Sequence, residues 1–404
     1  MARQLLQEFP LETLTHIIKL SVDVHRELAD GLVYPDRHPF WVQPYSFGSP
    51  QRASVAETYL TVCKSFYNAS IPTLMEYVAL SEEVKLVQLV HYLRKYPVGC
   101  FTLRLDLALP PSYPMDLVIE LLQSMPCLRV LVLANGGPCD GRGDRMIDFP
   151  VDFFNTLATS APGLRRLQFL SDVEVPSIKQ LALISHRHPQ LRTLQFTRLH
   201  SINDIEPDAF LILSFTNLTT LSIGTWTTTK NGVLFAFMQR IESPKSVPNL
   251  VRFDLMDRSN NLCSFLKNHG HHLEHLTILS GGPLAKEHKA CPSLTPDLKS
   301  LTFIVEGGIN ALPSEHHALE KITIMKGYRP VRLVGRRGLQ LLEDIRMVKL
   351  DRLREIVIDQ ELPLSLKDPW CYDDVVDSFQ QRGVQCEFVD MEDWYESESD
   401  GLII

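Results

Sequence analysis

The chain has 404 residues, of which 45% are hydrophobic and 22% charged, and its formal net charge is −8. This length exceeds one typical domain, so we expect either two modules or one elongated array. The acidic balance disfavours non-specific nucleic-acid binding, which needs a dense face of lysine and arginine. No apolar run reaches the ~18 residues that span a bilayer, so we expect no membrane insertion.

The N-terminal stretch and the cysteines predict an intracellular protein. Glu8 and Pro10 come too early for the apolar segment of a secretory signal. The eight cysteines are scattered without a Cys-x-x-Cys pair, which is typical of reduced core thiols. We therefore expect cytoplasmic or nuclear localisation, or both.

Residues 1–95 have the apolar period of helices. A first helix is predicted from Pro10, with an apolar stripe that includes Leu14 and Ile18. Ser54 and Glu57 form a capping box for a second helix, and Ser70 to Pro72 suggest that a third begins there and extends to Val78. A fourth is predicted from Ser81, with a stripe at Leu86, Leu89, Val90 and Leu93. An insert rich in proline and aromatic residues separates the first two, at residues 28–52.

Three phrases in this region resemble an F-box. Residues 9–18 are similar to its opening, a Leu-Pro-x-Glu-x-Leu phrase followed by paired aliphatic residues. Val62-Cys63-Lys64 before an aromatic residue looks like the second F-box helix, and Ile71-Pro72-Thr73-Leu74 resembles the closing segment. The insert at residues 28–52 departs from the short connection of a plain F-box.

The F-box resemblance implies docking on a Skp-family adaptor of a cullin–RING ubiquitin ligase. Such docking requires an exposed apolar face. The adaptor-binding candidates are Pro10, Leu11, Leu14, Ile18, Val62 and Cys63. The alternative is that these helices only cap the first strand of the array that follows, because an open array needs a covered end.

From about Phe101 to Phe388 one short phrase recurs, x-Leu-x-x-Leu-x-Leu, often opened by proline. Nine copies have their first leucines 21 to 36 residues apart, and weaker copies at residues 101–107 and 384–388 flank them. The first leucines are at positions 128, 164, 191, 218, 250, 273, 298, 319 and 353. The last two apolar positions of each copy alternate like one face of a strand, and helix-like stretches such as residues 150–157 separate the copies.

These copies predict an α/β fold in which parallel strands stack on one side and helices cover the other. The pattern resembles leucine-rich-repeat proteins, and F-box modules often precede such repeats, in fungi especially. The alternative, a doubly wound α/β domain, would have continuous Val/Ile strands and a glycine-rich phosphate turn. We expect an irregular solenoid over residues 96–390, because the usual asparagine after the strand survives clearly only at Asn135.

The strand residues between the buried apolar positions point away from the core and form the candidate substrate site. The substrate-binding candidates on the predicted concave face are Arg166, Gln168, Thr193, Gln195, Arg252, Asp254, His275 and Lys321. The alternative is a solvated sheet face without a partner. The resemblance then implies a non-catalytic substrate-recognition subunit that binds a protein, and the rival is a stand-alone repeat scaffold.

Three further features of the sequence are better explained by ordinary structure than by a functional site. The cluster His269-Gly270-His271-His272 with His275 is the sharpest candidate for a metal-dependent enzyme, but its spacing is weak for a zinc site, so we expect no metal and no cofactor. The loop at residues 136–144 lacks the Gly-Lys-Ser/Thr end of a phosphate loop. Residues 391–404 are predicted to be an acidic, solubilising tail.

Overall fold

The chain forms two compact units, which divide at Thr197 and Arg198. The computed structural model describes residues 11–22, 62, 64–109, 114–135, 149–170, 177–196, 213–224, 231–256, 262–280, 294–305, 315–326, 342–359 and 369–389. Unit 1 comprises residues 1–197 and 395–404, and unit 2 comprises residues 198–394.

Unit 1 alternates helices with parallel strands. Its helices are α1 (Leu11–Val22), α2 (Lys64–Met75), α3 (Glu83–Lys95), α4 (Met115–Gln123), α5 (Val151–Ser160) and α6 (Ile178–Arg187). Its strands are β1 (Tyr77–Leu80), β2 (Arg104–Leu109), β3 (Val130–Asn135), β4 (Arg166–Leu170) and β5 (Thr193–Phe196). A 3₁₀ turn at Val98–Phe101 precedes β2.

The strands of unit 1 pair in chain order, each parallel to the next. Leu131 is in register with Leu167, and Leu167 with Leu194. All three side chains are fully buried, which at about 2 kcal/mol for each leucine makes this row a main source of stability. The row has the geometry that the repeated phrase predicts.

The proline that opens many copies of the phrase occupies a tight turn between helix and strand. The backbone N–H of Leu164 donates to the carbonyl of Ala161, and that of Leu191 donates to the carbonyl of His188. Pro162 and Pro189 are the second residues of these four-residue turns, where a fixed φ is favourable. The turn reverses the chain, so that each strand runs antiparallel to the helix before it.

Unit 2 repeats the same alternation with fewer described helices. Its helices are α7 (Asn231–Ile241), α8 (Leu262–His269), the short segment 342–347 and α9 (Pro369–Gln381). Its strands are β6 (Thr220–Gly224), β7 (Arg252–Met256), β8 (His275–Ser280), β9 (Ser300–Val305), β10 (Lys321–Lys326), β11 (Glu355–Asp359) and β12 (Gln385–Val389). A 3₁₀ turn at Gly270–His272 precedes β8.

The strands of unit 2 are also parallel and in chain order. Phe253, Leu276 and Leu301 lie in one register row and are almost fully buried. The row continues through Ile322 to Ile356. The prediction of an α/β fold built from parallel strands in chain order is therefore confirmed, including the strands of both weak flanking copies.

One helical prediction is wrong. The sequence suggests a helix from Pro72 to Val78, but α2 runs through Pro72 and ends at Met75, and Val78 lies on β1. Tyr77-Val78-Ala79-Leu80 pairs in parallel with β2, and Tyr77, Val78 and Leu80 are buried. The aromatic side chain of Tyr77 and the β-branched side chain of Val78 favour a strand once a partner strand is present.

Several predictions concern parts of the chain that are not described. The capping box at Ser54, the insert at residues 28–52, the loop at 136–144 and the tail at 391–404 all lie outside the described residues. Among the helices that are described, none is long and apolar enough to cross a membrane.

Candidate protein-interaction sites

The N-terminal candidates for adaptor binding differ in exposure. Helices α1 and α2 pack against each other, and Leu14 and Ile18 of α1 are buried, with 2% and 0% of their surfaces exposed. Val62 is 41% exposed. Pro10 and Cys63 lie outside the described residues, and the side chain of Leu11 is also not described. An exposed apolar docking face is therefore not supplied by Leu14 or Ile18, contrary to the expectation.

A pair of tyrosines joins α2 to α3. The hydroxyl oxygens of Tyr67 and Tyr92 lie 3.2 Å apart, and the ring of Tyr92 packs on that of Tyr96 at 4.8 Å between centroids. Burial, and then the hydrogen bond with Tyr67, raise the pKa of Tyr92 to about 12. The Tyr92 hydroxyl therefore stays protonated at neutral pH.

The substrate candidates of unit 1 lie on the sheet face opposite the leucine row, which we call the second face. Arg166 is in register with Thr193, and Gln168 with Gln195. The side-chain amide of Gln168 donates to Oε1 of Gln195 across 2.6 Å. Arg166 and Gln168 are half-buried, whereas Thr193 and Gln195 are buried. The register brings all four together, but only the first two are accessible to a partner.

An apolar strip on the second face was missed by sequence reasoning. Ala108, Val130, Val132, Ala134 and Leu170 are buried together, although they alternate with the core leucines of their strands. The signal was present in β3, where residues 130–134 are apolar without interruption. Such a run is typical of a strand that is buried on both faces.

A charged pair lies next to this strip, with Asp106 buried and Arg104 half-buried. Arg104 and Asp106, two residues apart on β2, form a bidentate contact with distances of 2.9 and 2.7 Å. The Tyr77 hydroxyl donates to Oδ2 of Asp106 at 2.7 Å, and the guanidinium of Arg104 lies 4.8 Å from the centre of the Tyr77 ring. These contacts compensate the desolvation of the two charges.

The second face of unit 2 has an equivalent pair on β7. Arg252 donates to Asp254, and the hydroxyls of Ser222 and Thr277 on the two neighbouring strands donate to the same carboxylate at 2.6 and 2.5 Å. All four side chains are buried. Arg252 and Asp254 were predicted to be open to a substrate, and the structure instead places them in a closed hydrogen-bonded network.

The other two candidates of unit 2 are partly accessible. His275 of β8 is half-buried beside Arg252, and burial, followed by the charge of Arg252, lowers the pKa of its imidazole. Lys321 of β10 is half-buried, and its ammonium group lies 3.1 Å from Oε1 of Glu355. His275 is therefore a neutral polar group at neutral pH, and Lys321 is a cation with an acidic neighbour.

The histidine cluster does not converge on one point. The buried ring of His269 stacks on Phe265, and its Nε2 lies 3.0 Å from the carbonyl oxygen of Ile241. Burial lowers the pKa of this ring. His271 and His272 are exposed on the 3₁₀ turn, and His275 is on the strand beyond it. Within the described ranges no group of three or more histidine, cysteine or acidic side chains is arranged to hold a metal ion.

Each unit therefore has accessible polar side chains on its own second face. They include Arg166 and Gln168 in unit 1, and His275 and Lys321 in unit 2. Guanidinium, amide, imidazole and ammonium groups are suited to hydrogen-bonded recognition of a polar partner surface. No family model matches this chain, and no curated protein matches it.

Proposed function

We propose that this chain is a non-catalytic substrate-recognition subunit of a cullin–RING ubiquitin ligase. Its N-terminal helices would bind a Skp-family adaptor, and its repeats would hold a protein substrate. The main support for this proposal is the order of the elements along the chain. The helices α1 and α2 come first, and parallel strands in register follow them. In F-box proteins with leucine-rich repeats, the helical module likewise precedes the repeats. Such a subunit contributes proximity and orientation, while other subunits carry out the transfer.

The geometry narrows the adaptor-binding residues. Leu14 and Ile18 are buried in the packing of α1 on α2, so we do not expect them to contact an adaptor directly. Val62 is the member of the predicted set with a described and exposed side chain. An exposed apolar residue gains most from burial against a partner, which makes Val62 the first position to test.

The test is co-purification of the full chain with a Skp-family adaptor. Val62→Asp should abolish the complex, because it places a charge in an apolar contact. Val84→Asp is the matched control, since Val84 is a 63% exposed valine on α3 outside the predicted set. Both variants should keep the circular dichroism of the unmodified protein. Failure of the unmodified chain to bind any such adaptor would contradict the proposal.

The second candidate function is a stand-alone repeat scaffold whose N-terminal helices only cap the array. The burial of Leu14 and Ile18 favours it, and so does the direct run of α2 into β1. Here the backbone N–H of Leu103 donates to the carbonyl of Glu76, which ties the end of the helical pair to the sheet. A folded chain that binds no adaptor, but still binds a protein through its repeats, is the result expected for this scaffold.

We propose that a substrate contacts accessible side chains on the second face of one unit or the other, and each unit is tested by its own variant. Arg166→Ala and Lys321→Ala should each reduce capture of the substrate in quantitative interaction mass spectrometry, because each removes a half-buried charge. Arg187→Ala, an exposed change on α6 away from this face, is the control. An identical interaction profile for all three variants would show that the substrate binds elsewhere.

A further inference from the structure

The apolar strip of unit 1 is shielded from solvent by more than its own side chains. Ala108, Ala134 and Leu170 lie in one register row across β2, β3 and β4, and they are only 2%, 1% and 4% exposed. Side chains stand roughly perpendicular to a sheet whose strands are ~4.8 Å apart, so a methyl group is too short to shield its neighbours in such a row. The shielding therefore comes from a segment that lies over the row.

Helix α5 does not supply this cover, because it lies on the opposite face of the sheet. The ring of Phe154 on α5 packs against that of Phe169 on β4, with 6.4 Å between the centroids. The alternation along β4 puts Leu170 on the other side of the sheet from Phe169. Helices α4 and α6 both contact α5 and belong to the same layer. The cover of the strip therefore belongs to the residues outside the described ranges.

The tail segment 395–404 is associated with unit 1 in a way that the order of the chain does not require. It belongs to unit 1 with residues 1–197, although residues 198–394, which precede it in the chain, form unit 2. Residues 136–148, by contrast, belong to unit 1 simply because they continue from β3. The membership of the tail segment in unit 1 is thus informative about where it lies.

The composition of the tail segment fits an apolar surface. It carries three acidic residues and then three consecutive aliphatic residues, Leu402, Ile403 and Ile404, which gain most from leaving water. Val84 and Val87 of α3 remain 63% and 46% exposed, so this other apolar surface of unit 1 has no cover. The apolar strip is shielded, and its aliphatic surface matches the aliphatic end of the tail segment.

We infer that Leu402, Ile403 and Ile404 occupy the apolar strip of unit 1. Arg166 and Gln168 are in register with strip residues of β3, so a segment over the strip excludes a substrate from both. The tail segment then regulates the unit 1 substrate site by competing for it. Only this last step rests on the proposed function, and the contact itself does not.

The test is a fluorescence-anisotropy titration with a labelled peptide that has the sequence of residues 395–404. The receptor is the full chain with Leu402→Ser, Ile403→Ser and Ile404→Ser, whose own tail should leave the strip. In the unmodified chain the tethered tail competes at an effective concentration of about 1 mM, so a peptide with a Kd of about 0.1 mM should bind about tenfold more weakly there. Equal binding to the two chains, or no binding to either at millimolar peptide, would overturn the inference.

The matched control within the tail is the chain with Glu396→Gln, Glu398→Gln and Asp400→Asn, which loses the charges and keeps the aliphatic residues. It should bind the peptide as weakly as the unmodified chain does, because exposed charge contacts contribute little. If it binds the peptide as tightly as the serine variant, charge holds the tail segment in place and the assignment to the strip is wrong.

Val132→Thr, added to the serine variant, tests whether the peptide binds at the strip. It replaces one buried methyl group of the strip by a hydroxyl, and threonine is well tolerated in strands. Peptide binding should weaken about fivefold, the effect of losing one buried methyl group. Val151→Thr changes a 59% exposed valine on α5 and should leave the affinity as it is. Equal effects of the two changes, in variants with unchanged circular dichroism, would mean that the peptide binds elsewhere.

This titration needs neither adaptor nor substrate, so its result is independent of the proposed function. If the tail segment competes with a substrate, the serine variant should capture more of the protein whose capture Arg166→Ala reduces. Peptide binding without a change in capture would reject the substrate site of unit 1 and keep the tail contact. Increased capture without peptide binding would reject the tail contact and keep the substrate site.

Discussion

The Nε atom of Arg252 lies 2.9 Å from Oδ2 of Asp254, and both side chains are buried on the sheet face opposite the aliphatic core. Because the two residues are separated by one position on β7, the alternation of a strand places both on the same face. Arg104 and Asp106 repeat this arrangement on β2. In such an Arg-x-Asp pair, the guanidinium and the carboxylate compensate each other's charge on a part of the sheet face that is shielded from solvent. The pair is therefore poorly placed to bind a partner.

The first prediction concerns the carboxylate of Asp254. Asp254→Asn should lower the free energy of unfolding by about 3 kcal/mol, because it leaves the buried guanidinium of Arg252 without its counter-charge. Urea unfolding measures this change. Ser222→Ala removes one donor to the same carboxylate and should cost only about 1 kcal/mol. Equal effects of the two variants would mean that the charge pair has no special importance.

The second prediction concerns the close approach of Gly270 to the backbone of Leu294, in the segment that precedes β9. A Cβ atom at this position would lie 2.4 Å from the carbonyl oxygen of Leu294, which is backbone and has little freedom to move. Gly270→Ala should therefore destabilise the protein by about 1–3 kcal/mol, the usual range for overpacking. Thermal unfolding followed by circular dichroism gives the change.

Gly163 is the matched control for Gly270, because it also lies in a turn before a strand. A Cβ there would be 4.0 Å from the carbonyl oxygen of Leu128. Gly163→Ala should leave the free energy of unfolding unchanged or raise it by about 0.4–1 kcal/mol, because alanine lowers the conformational entropy of the unfolded chain. If both alanine variants melt at the same temperature as the unmodified protein, the coils can separate more easily than the structure indicates.

The third prediction concerns the end of α9. Val384 donates its backbone N–H to the carbonyl of Phe379, and Gly383 donates to Gln380, which is the pattern of a Schellman motif. Gly383 has a φ of 75°, in the left-handed region that favours glycine. Gly383→Ala should cost about 1 kcal/mol in urea unfolding. Gly383→Asn should cost less, since asparagine tolerates this conformation better.

The strands could be predicted from the sequence because one physical requirement fixes them. Each copy has two apolar residues two positions apart, such as Leu131 and Leu133. In a strand, residues with this spacing lie on the same face. The proline that opens many of the copies marks the turn. Pro72 misled the helix assignment because proline usually ends a helix, whereas α2 continues through it. The strand at Tyr77 then depends on pairing with β2, which is not visible locally.

The exposure of the second face could not be predicted to the same extent. Alternation along β7 tells which face Arg252 and Asp254 occupy, but it does not tell whether that face is covered. Their burial has no local sequence signal, apart from the Arg-x-Asp spacing that allows the two charges to pair.

The fourth prediction is a pH dependence of stability that arises from His188. This side chain is buried after the end of α6, and burial lowers its pKa from 6.5 to about 4, opposed in part by the backbone of Ala161. The folded value lies below the unfolded value, so the unfolded chain takes up the proton first as the pH falls. The stability contribution is therefore complete above pH 6.5 and is lost as the pH falls towards about 4.

The size of this effect follows from the shift. A lowering from 6.5 to about 4 corresponds to about 3 kcal/mol of stability lost across that interval. His269 and His316, whose pKa values are also lowered by burial, act in the same direction. His188→Leu should flatten the dependence measured by urea unfolding between pH 7.5 and 4.5, whereas the exposed His186→Leu should leave it as it was. A slope unchanged by His188→Leu would show that the imidazole takes up its proton without unfolding the coil.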